Sequence, residues 1–69
     1  MTVSEIGELI KTERKRQGVT QLELSQAADV GRRFVVELES GKETAHLGKA
    51  LRIMDVLGIS MTLSGAKGY

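Results

Sequence analysis

The sequence contains no cysteine, no proline and no tryptophan, and its aromatic residues are one phenylalanine and one tyrosine. Without cysteine, neither a disulfide nor a thiolate metal site can stabilise the fold. Without proline, no helix is interrupted by a residue that lacks a backbone N–H donor. Together with the small number of aromatic residues, this indicates a mainly helical chain with an aliphatic core. A chain of 69 residues is enough for one small domain with a thin core. We therefore expect dimerisation to add buried area.

The sequence also lacks a strong charge of either sign and any long apolar run. Its formal net charge is +1, so bulk charge alone does not argue for nucleic-acid binding. No apolar stretch approaches the roughly 18 residues of a membrane span. The N-terminal segment is acidic and lacks the apolar core of a secretory signal. We therefore expect a cytoplasmic, nucleoid-associated protein that does not bind membranes.

Catalytic signatures are missing as well. The sequence contains no pairing of a nucleophile with a base and no glycine-rich phosphate loop, so we expect no enzyme and no cofactor. His46 stands alone, without a cysteine or acidic cluster around it, and we predict no metal site.

Helical spacing and capping signals predict four helices. Capping boxes at Thr2–Glu5 and Thr20–Glu23 mark the first two helix starts, and Gly18 supplies the left-handed residue that ends the first. Gly7 inside the first helix indicates close packing. The predicted helices are Thr2 to about Gln17, Gln21 to about Ala28, Arg32 to about Ser40, and one that begins with Thr44 as N-cap and ends at Gly58.

The last part of the chain changes period. Residues 59–64 alternate apolar and polar side chains, which is typical of a strand. A single strand needs a partner for its backbone donors, and the same strand of a second copy is the simplest partner. We therefore predict a helix–turn–helix domain at 1–58, a dimerising strand at 59–64 and a flexible tail at 65–69. The predicted dimer strand contains Ile59, Ser60, Met61, Thr62 and Leu63.

The stretch Thr20–Lys42 reads as two short helices joined by a tight turn. A second helix that packs one face on the domain can insert the other face into the major groove of DNA. Outward-facing residues at its start and middle are the predicted base readers: Arg32, Arg33, Val36 and Glu37. Residues at the two ends of the unit are the predicted phosphate contacts: Thr20, Gln21, Ser40, Gly41 and Lys42.

Other roles for these residues stay open. Arg32 and Arg33 form either a DNA contact or an ordinary solvated face. Glu37 either accepts from cytosine N4 or orients Arg33 one helical turn away. The basic end of the first helix either complements the helix dipole or contacts DNA.

The segments Gln21-Leu-Glu-Leu-Ser25, Val30-Gly31 and Val35-Val-Glu-Leu-Glu39-Ser-Gly-Lys42 resemble the Cro/C1-type (Xre) helix–turn–helix family. The resemblance implies an all-α, four-helix, lambda-repressor-like domain that binds operator DNA as a homodimer. It implies a phosphate contact by Gln21 and a partly buried ion pair between Arg14 and Glu39. It also implies that Asp29 occupies a left-handed turn position where relatives usually carry glycine.

The ending Leu57-Gly-Ile-Ser-Met-Thr-Leu63 is similar to that of the HipB-type antitoxins. This narrower resemblance implies a repressor of its own operon that also neutralises a HipA-type kinase toxin. Two alternatives remain open, which are a stand-alone Xre-type repressor and a protein-interaction module with vestigial DNA binding.

Overall fold

The structure, a computed structural model, describes residues 2–44, 46–60 and 62. Its helices are α1 (Val3–Arg16), α2 (Gln21–Ala27), α3 (Arg32–Glu39) and α4 (Leu47–Val56). The predicted all-α helix–turn–helix domain is therefore confirmed. Within the described ranges, no helix is long and apolar enough to cross a membrane.

The first two helices begin with the predicted capping boxes. In α1, the backbone N–H of Glu5 donates to Thr2 Oγ1 over 3.1 Å, and the backbone N–H of Thr2 donates to Glu5 Oε1 over 2.9 Å. Thr20 and Glu23 repeat this arrangement at α2. The threonine backbone donor lowers the pKa of each glutamate. Sequence alone therefore sets both helix starts.

Each of the four helices in the described part of the chain ends in a Schellman motif, with a residue in the left-handed region. These residues are Gly18, Asp29, Gly41 and Gly58, with φ of 71°, 54°, 85° and 75°. The expected left-handed conformation of Asp29 is confirmed, and aspartate is one of the few non-glycine residues that tolerate it. The turn between α2 and α3 thus forms without glycine.

The predicted start of α4 is wrong. Thr44 does not cap the helix, because its hydroxyl accepts the backbone N–H of His46 over 3.0 Å within the preceding loop. His46 occupies the N-cap position and makes no side-chain cap. A threonine hydroxyl that bonds two residues onward forms a local turn, so α4 begins later, at Leu47.

The core is aliphatic and is built from all four helices. Its buried residues are Ile10, Leu24, Ala28, Val35, Leu38, Ala50, Ile53, Met54 and Leu57. α1 crosses α3 so closely that a Cβ added at Gly7 would lie 2.1 Å from the carbonyl oxygen of Leu38. The close packing expected at Gly7 is confirmed, and this contact fixes α3 against α1.

The predicted dimer strand is only partly covered by the described residues. Ile59 packs against the core, whereas Ser60 and Thr62 are exposed and have no regular secondary structure within the single chain. Met61, Leu63 and the tail at 65–69 lie outside the described residues. Pairing across a twofold axis involves a second copy, so the strand stays a prediction.

Candidate nucleic-acid interface

Helix α3 separates a buried face from an exposed one. Val35 and Leu38 are buried in the core, while Arg32, Arg33 and Val36 are exposed. Glu37 lies at the edge of the exposed face, with about a third of its side chain accessible. The structure therefore brings the four predicted base readers to one side of a helix that the core holds in place.

The first turn of α3 violates the electrostatic preference of a helix. Gly31 is its N-cap and makes no side-chain hydrogen bond, and the turn carries no acidic residue. It carries Arg32 and Arg33 instead, at the end where the helix dipole disfavours cations. By contrast, α1 and α2 both have capping boxes and an acidic first turn, whereas α4, like α3, has neither. What distinguishes α3 from α4 is therefore the pair of exposed arginines in its first turn, where a local rule broken by two charged residues is typical of a functional site.

Three charged side chains form a cluster on the exposed face of α3, here called the Glu37 cluster (Arg33, Glu37 and Lys42). Arg33 Nε lies 2.9 Å from Glu37 Oε1, and Lys42 Nζ lies 3.0 Å from Glu37 Oε2. The hydrogen bond from Lys42, which is the larger cause, and the hydrogen bond from Arg33 both lower the pKa of the Glu37 carboxyl. The carboxylate thus holds two cations at once.

The Lys42 contact is the feature that sequence reasoning missed. Lys42 is five residues from Glu37, outside the three- and four-residue spacings of helix neighbours. The Schellman motif turns the chain back at Gly41, so that the N–H of Lys42 donates to the carbonyl oxygen of Glu37 over 3.0 Å. The signal that could have found this contact is Gly41 itself, because it places the next residue over the last turn of the helix.

Arg14 and Glu39, the residues of the expected ion pair, are bonded to each other in the interior. Arg14 donates to both carboxylate oxygens of Glu39, over 2.6 Å from Nε and 3.0 Å from Nη2. Arg14 Nη1 also donates to the carbonyl oxygen of Val19. The hydrogen bond to Glu39 raises the pKa of Arg14. This pair joins α1 to α3 and to the start of α2.

Gln21 belongs to the same network, because its Nε2 donates to Glu39 Oε1 over 3.2 Å. The residue predicted to contact phosphate is therefore held by the ion pair that supports α3. Its amide oxygen remains an acceptor, and its backbone N–H lies in the first turn of α2. The position of Gln21 relative to the base readers is consequently fixed by the fold.

The remaining predicted phosphate contacts lie at both ends of the unit and use part of their hydrogen-bonding capacity internally. Thr20 is engaged in its capping box, and the Ser40 hydroxyl donates to the carbonyl oxygen of Glu37 over 2.7 Å. Gly41 is half-buried against Ser4 of α1. Backbone groups therefore remain the main means by which Thr20, Ser40 and Gly41 can hold a phosphate.

A cleft between α1 and α3 brings several of these residues together. Gln21, Val36 and Ser40 line it, and so do Lys11 and Lys15 of α1. The basic end of α1 thus borders the same surface as the base readers. This position is compatible with both roles left open by the sequence. The lysines can contact DNA from the cleft, and they can complement the helix dipole because they lie in the C-terminal half of α1.

A second contact supports the start of α3. The half-buried Phe34 ring packs against the core, with Lys49 Nζ 5.6 Å from its centroid. The His46 ring lies edge-on to Phe34 at 6.3 Å between centroids.

Within residues 2–44, 46–60 and 62, no group of three histidine or acidic side chains is placed to hold a metal.

Comparison with known proteins agrees with this geometry. A family profile described as "Helix-turn-helix" matches residues 10–63. A protein named "Uncharacterized HTH-type transcriptional regulator y4mF" from Sinorhizobium fredii (strain NBRC 101917 / NGR234) is 45% identical over 62 residues, which cover 90% of this chain and 82% of that protein.

A solved structure titled "MDT Protein" superimposes with a TM-score of 0.84 at 24% identity, over 96% of this chain and 93% of that one. At this identity the likeness concerns the fold alone. The family match and the close relative carry the assignment. The chain belongs to the Cro/C1-type helix–turn–helix family of DNA-binding transcriptional regulators.

Proposed function

We propose that the protein is a sequence-specific repressor that binds its operator as a homodimer and acts by binding, not by catalysis. The observation that carries the proposal is the first turn of α3. There Arg32 and Arg33 are exposed at a helix start that lacks both a side-chain cap and an acidic residue. Arginine bonds bidentately to guanine O6 and N7 and is therefore suited to this position.

The distribution of charge supports DNA as the ligand. The whole chain is nearly neutral, yet Lys11 and Lys15 border the cleft that contains Gln21, Val36 and Ser40. Phosphates along a duplex attract such a surface whatever the base sequence. The arginines of α3 then supply the discrimination between sequences.

Dimerisation would involve α4 and the segment that follows it. Leu47 and Leu51 are one helical turn apart on α4 and are exposed by 65% and 43%. An exposed pair of leucines next to the predicted strand favours a contact between two copies. Two recognition helices related by a twofold axis would reach successive major grooves about 34–36 Å apart. Sedimentation equilibrium tests this, since a chain that stays monomeric at micromolar concentration would contradict it.

The finer proposal is that this repressor is a cytoplasmic antitoxin that neutralises a HipA-type kinase toxin. Its support is the similarity of residues 57–63 to the HipB-type ending. Co-expression with the product of the neighbouring gene tests it: a stable complex and relief of toxicity are expected. Without either result, the stand-alone repressor remains.

Selection from a duplex library with a randomised core is the direct test of the repressor proposal. The wild-type chain should enrich an inverted repeat whose half-site centres are about 10 base pairs apart. Log affinity should fall linearly with log salt concentration, since each neutralised phosphate contributes about −0.9 to the slope.

Matched arginine variants locate the reading surface. Arg32→Ala and Arg33→Ala should each weaken binding to the selected site by about 1–3 kcal/mol and relax the base preference at one position of that site. Arg16→Ala is the control for loss of charge, because Arg16 is also an exposed arginine paired with a glutamate, Glu13 of α1, and its loss should relax the base preference at no position. If the wild-type chain enriches no sequence, the protein-interaction module is favoured. If all three variants change affinity and base preference equally, α3 is not the surface that reads the bases.

A further inference from the structure

We propose that Glu37 is a positioning residue that couples Arg33 to Lys42, so that base reading and backbone binding engage the operator as one unit. The proposal rests on the proposed function and deepens it. It assigns Glu37 to specificity through two neighbouring cations and not through a base of its own.

The four helix ends show what is unusual at Lys42. In a Schellman motif the residue after the left-handed position often makes an apolar contact with the last helical turn. Val19, Val30 and Ile59 fill this position after α1, α2 and α4, and all three pack against the core. After α3 the position holds Lys42, whose ammonium contacts Glu37 instead.

The donors that remain available fit DNA. Glu37 engages Arg33 through Nε alone, and no other described residue accepts from that guanidinium. Nη1 and Nη2 form the outer edge of the group, which is the edge that can bond a guanine end-on. The Lys42 ammonium has three donors and can keep its bond to Glu37 while it binds a phosphate.

The negative charge of Glu37 also penalises incorrect docking. A carboxylate on the reading face is repelled by phosphates and by the acceptor atoms of guanine, so it weakens binding wherever Arg33 does not take up a guanine. Because the same carboxylate contacts both cations, it fixes the direction of the Arg33 guanidinium relative to the Lys42 ammonium. Selectivity therefore rises at some expense of total affinity.

The test compares Glu37→Gln with Glu13→Gln. Both substitutions remove one negative charge from a glutamate bonded to a surface arginine. Glu13 is a suitable control because it lies on the side of α1 that faces the end of α4. It accepts from the Gln17 amide, and that amide also donates to the carbonyl oxygen of Leu57, next to the end of α4. The probes are the duplex that the wild-type chain selects from a randomised library and a scrambled duplex of the same composition.

Glu37→Gln should raise affinity for the scrambled duplex and lower the ratio of selected to scrambled binding by about three- to tenfold, a part of what one bidentate arginine–guanine pair supplies. The salt slope should steepen by about one, because Lys42 then acts as a full cation. Glu13→Gln should leave the ratio unchanged.

A double-mutant cycle tests the coupling itself. Arg33→Ala and Lys42→Ala should be non-additive on the selected duplex in the wild-type background and additive in the Glu37→Gln background. A structural role alone would not produce this difference. Far-ultraviolet circular dichroism confirms that each variant is folded.

Three results would overturn the assignment. They are an unchanged ratio in Glu37→Gln, an equal fall in Glu13→Gln, and additivity of the two cation variants in the wild-type background. Each would leave the repressor proposal in place as long as the wild-type chain still prefers its selected duplex. Absence of any such preference would instead overturn the repressor proposal and this assignment together.

Discussion

Helix α3 carries two glutamates two residues apart, and each is bonded to an arginine. Glu39 and its partner Arg14 have 4% and 10% of their side chains exposed, whereas Glu37 and Arg33 have 32% and 89% exposed. Both contacts are charged hydrogen bonds, two between Arg14 and Glu39 and one between Arg33 and Glu37. They also differ in which face of the helix holds them and therefore in how much water surrounds them.

Burial determines what each pair can do. Glu39 has no water to replace its partner, so it depends on Arg14 and Gln21 for hydrogen bonds. Glu37 is screened by solvent, so its pair with Arg33 contributes little to folding and can be exchanged for contacts with another molecule. One helix thus holds the domain together with one face and is available to a ligand with the other.

Breaking the buried pair should have the largest effect. Arg14→Ala should lower the free energy of unfolding by about 3–5 kcal/mol, because it leaves the carboxylate of Glu39 buried without its main partner. Urea unfolding measures this change, and for a domain of this size it removes much of the total stability.

The double variant Arg14→Met/Glu39→Leu serves as the control for charge. Replacing both partners by apolar residues should recover most of the loss, since no unpaired charge remains. If the single and double variants were equally unstable, packing and not the ion pair would be the cause.

Overpacking the same junction should have an intermediate effect. Gly7→Ala places a methyl group 2.1 Å from the Leu38 carbonyl oxygen and should cost about 1–3 kcal/mol through displacement of α3 from α1. Gly48→Ala is the matched control in α4, where nothing lies within 4 Å of the added carbon. Helix entropy should make that variant neutral or slightly more stable. Equal losses in both would mean that the contact between α1 and α3 is not specific.

The exposed pair should show the smallest effect, visible mainly as a titration. Because Lys42 and Arg33 lower the pKa of Glu37, the pairing stabilises the fold above the ordinary carboxyl pKa and is lost as the pH falls through the lowered value. Carbon NMR of the Glu37 carboxyl should show Lys42→Ala raising the midpoint more than Arg33→Ala does. Glu13 should be unaffected by either variant, since Arg16 is its main partner.

Much of the framework could be predicted from local signals. The capping boxes at Thr2 and Thr20 and the left-handed residues at Gly18 and Asp29 fix helix ends through bonds between neighbours in sequence. The same reasoning failed at Thr44, because a hydroxyl near a helix start has two local acceptor roles. Sequence does not show which one the loop geometry selects.

The reading surface was predictable as a set of residues but not as an arrangement. The sequence by itself determined both ends of α1, α2 and α3 and the end of α4, which face of α3 is apolar and that two arginines stand at its start. These features depend on contacts within a few residues. The tertiary structure alone decided that Glu39 is sealed against Arg14 and holds Gln21. Those contacts depend on how α1 and the start of α2 pack on α3, and short-range pattern does not specify that packing. The return of Lys42 to Glu37 is local by comparison, because the left-handed turn at Gly41 places it over the last turn of α3.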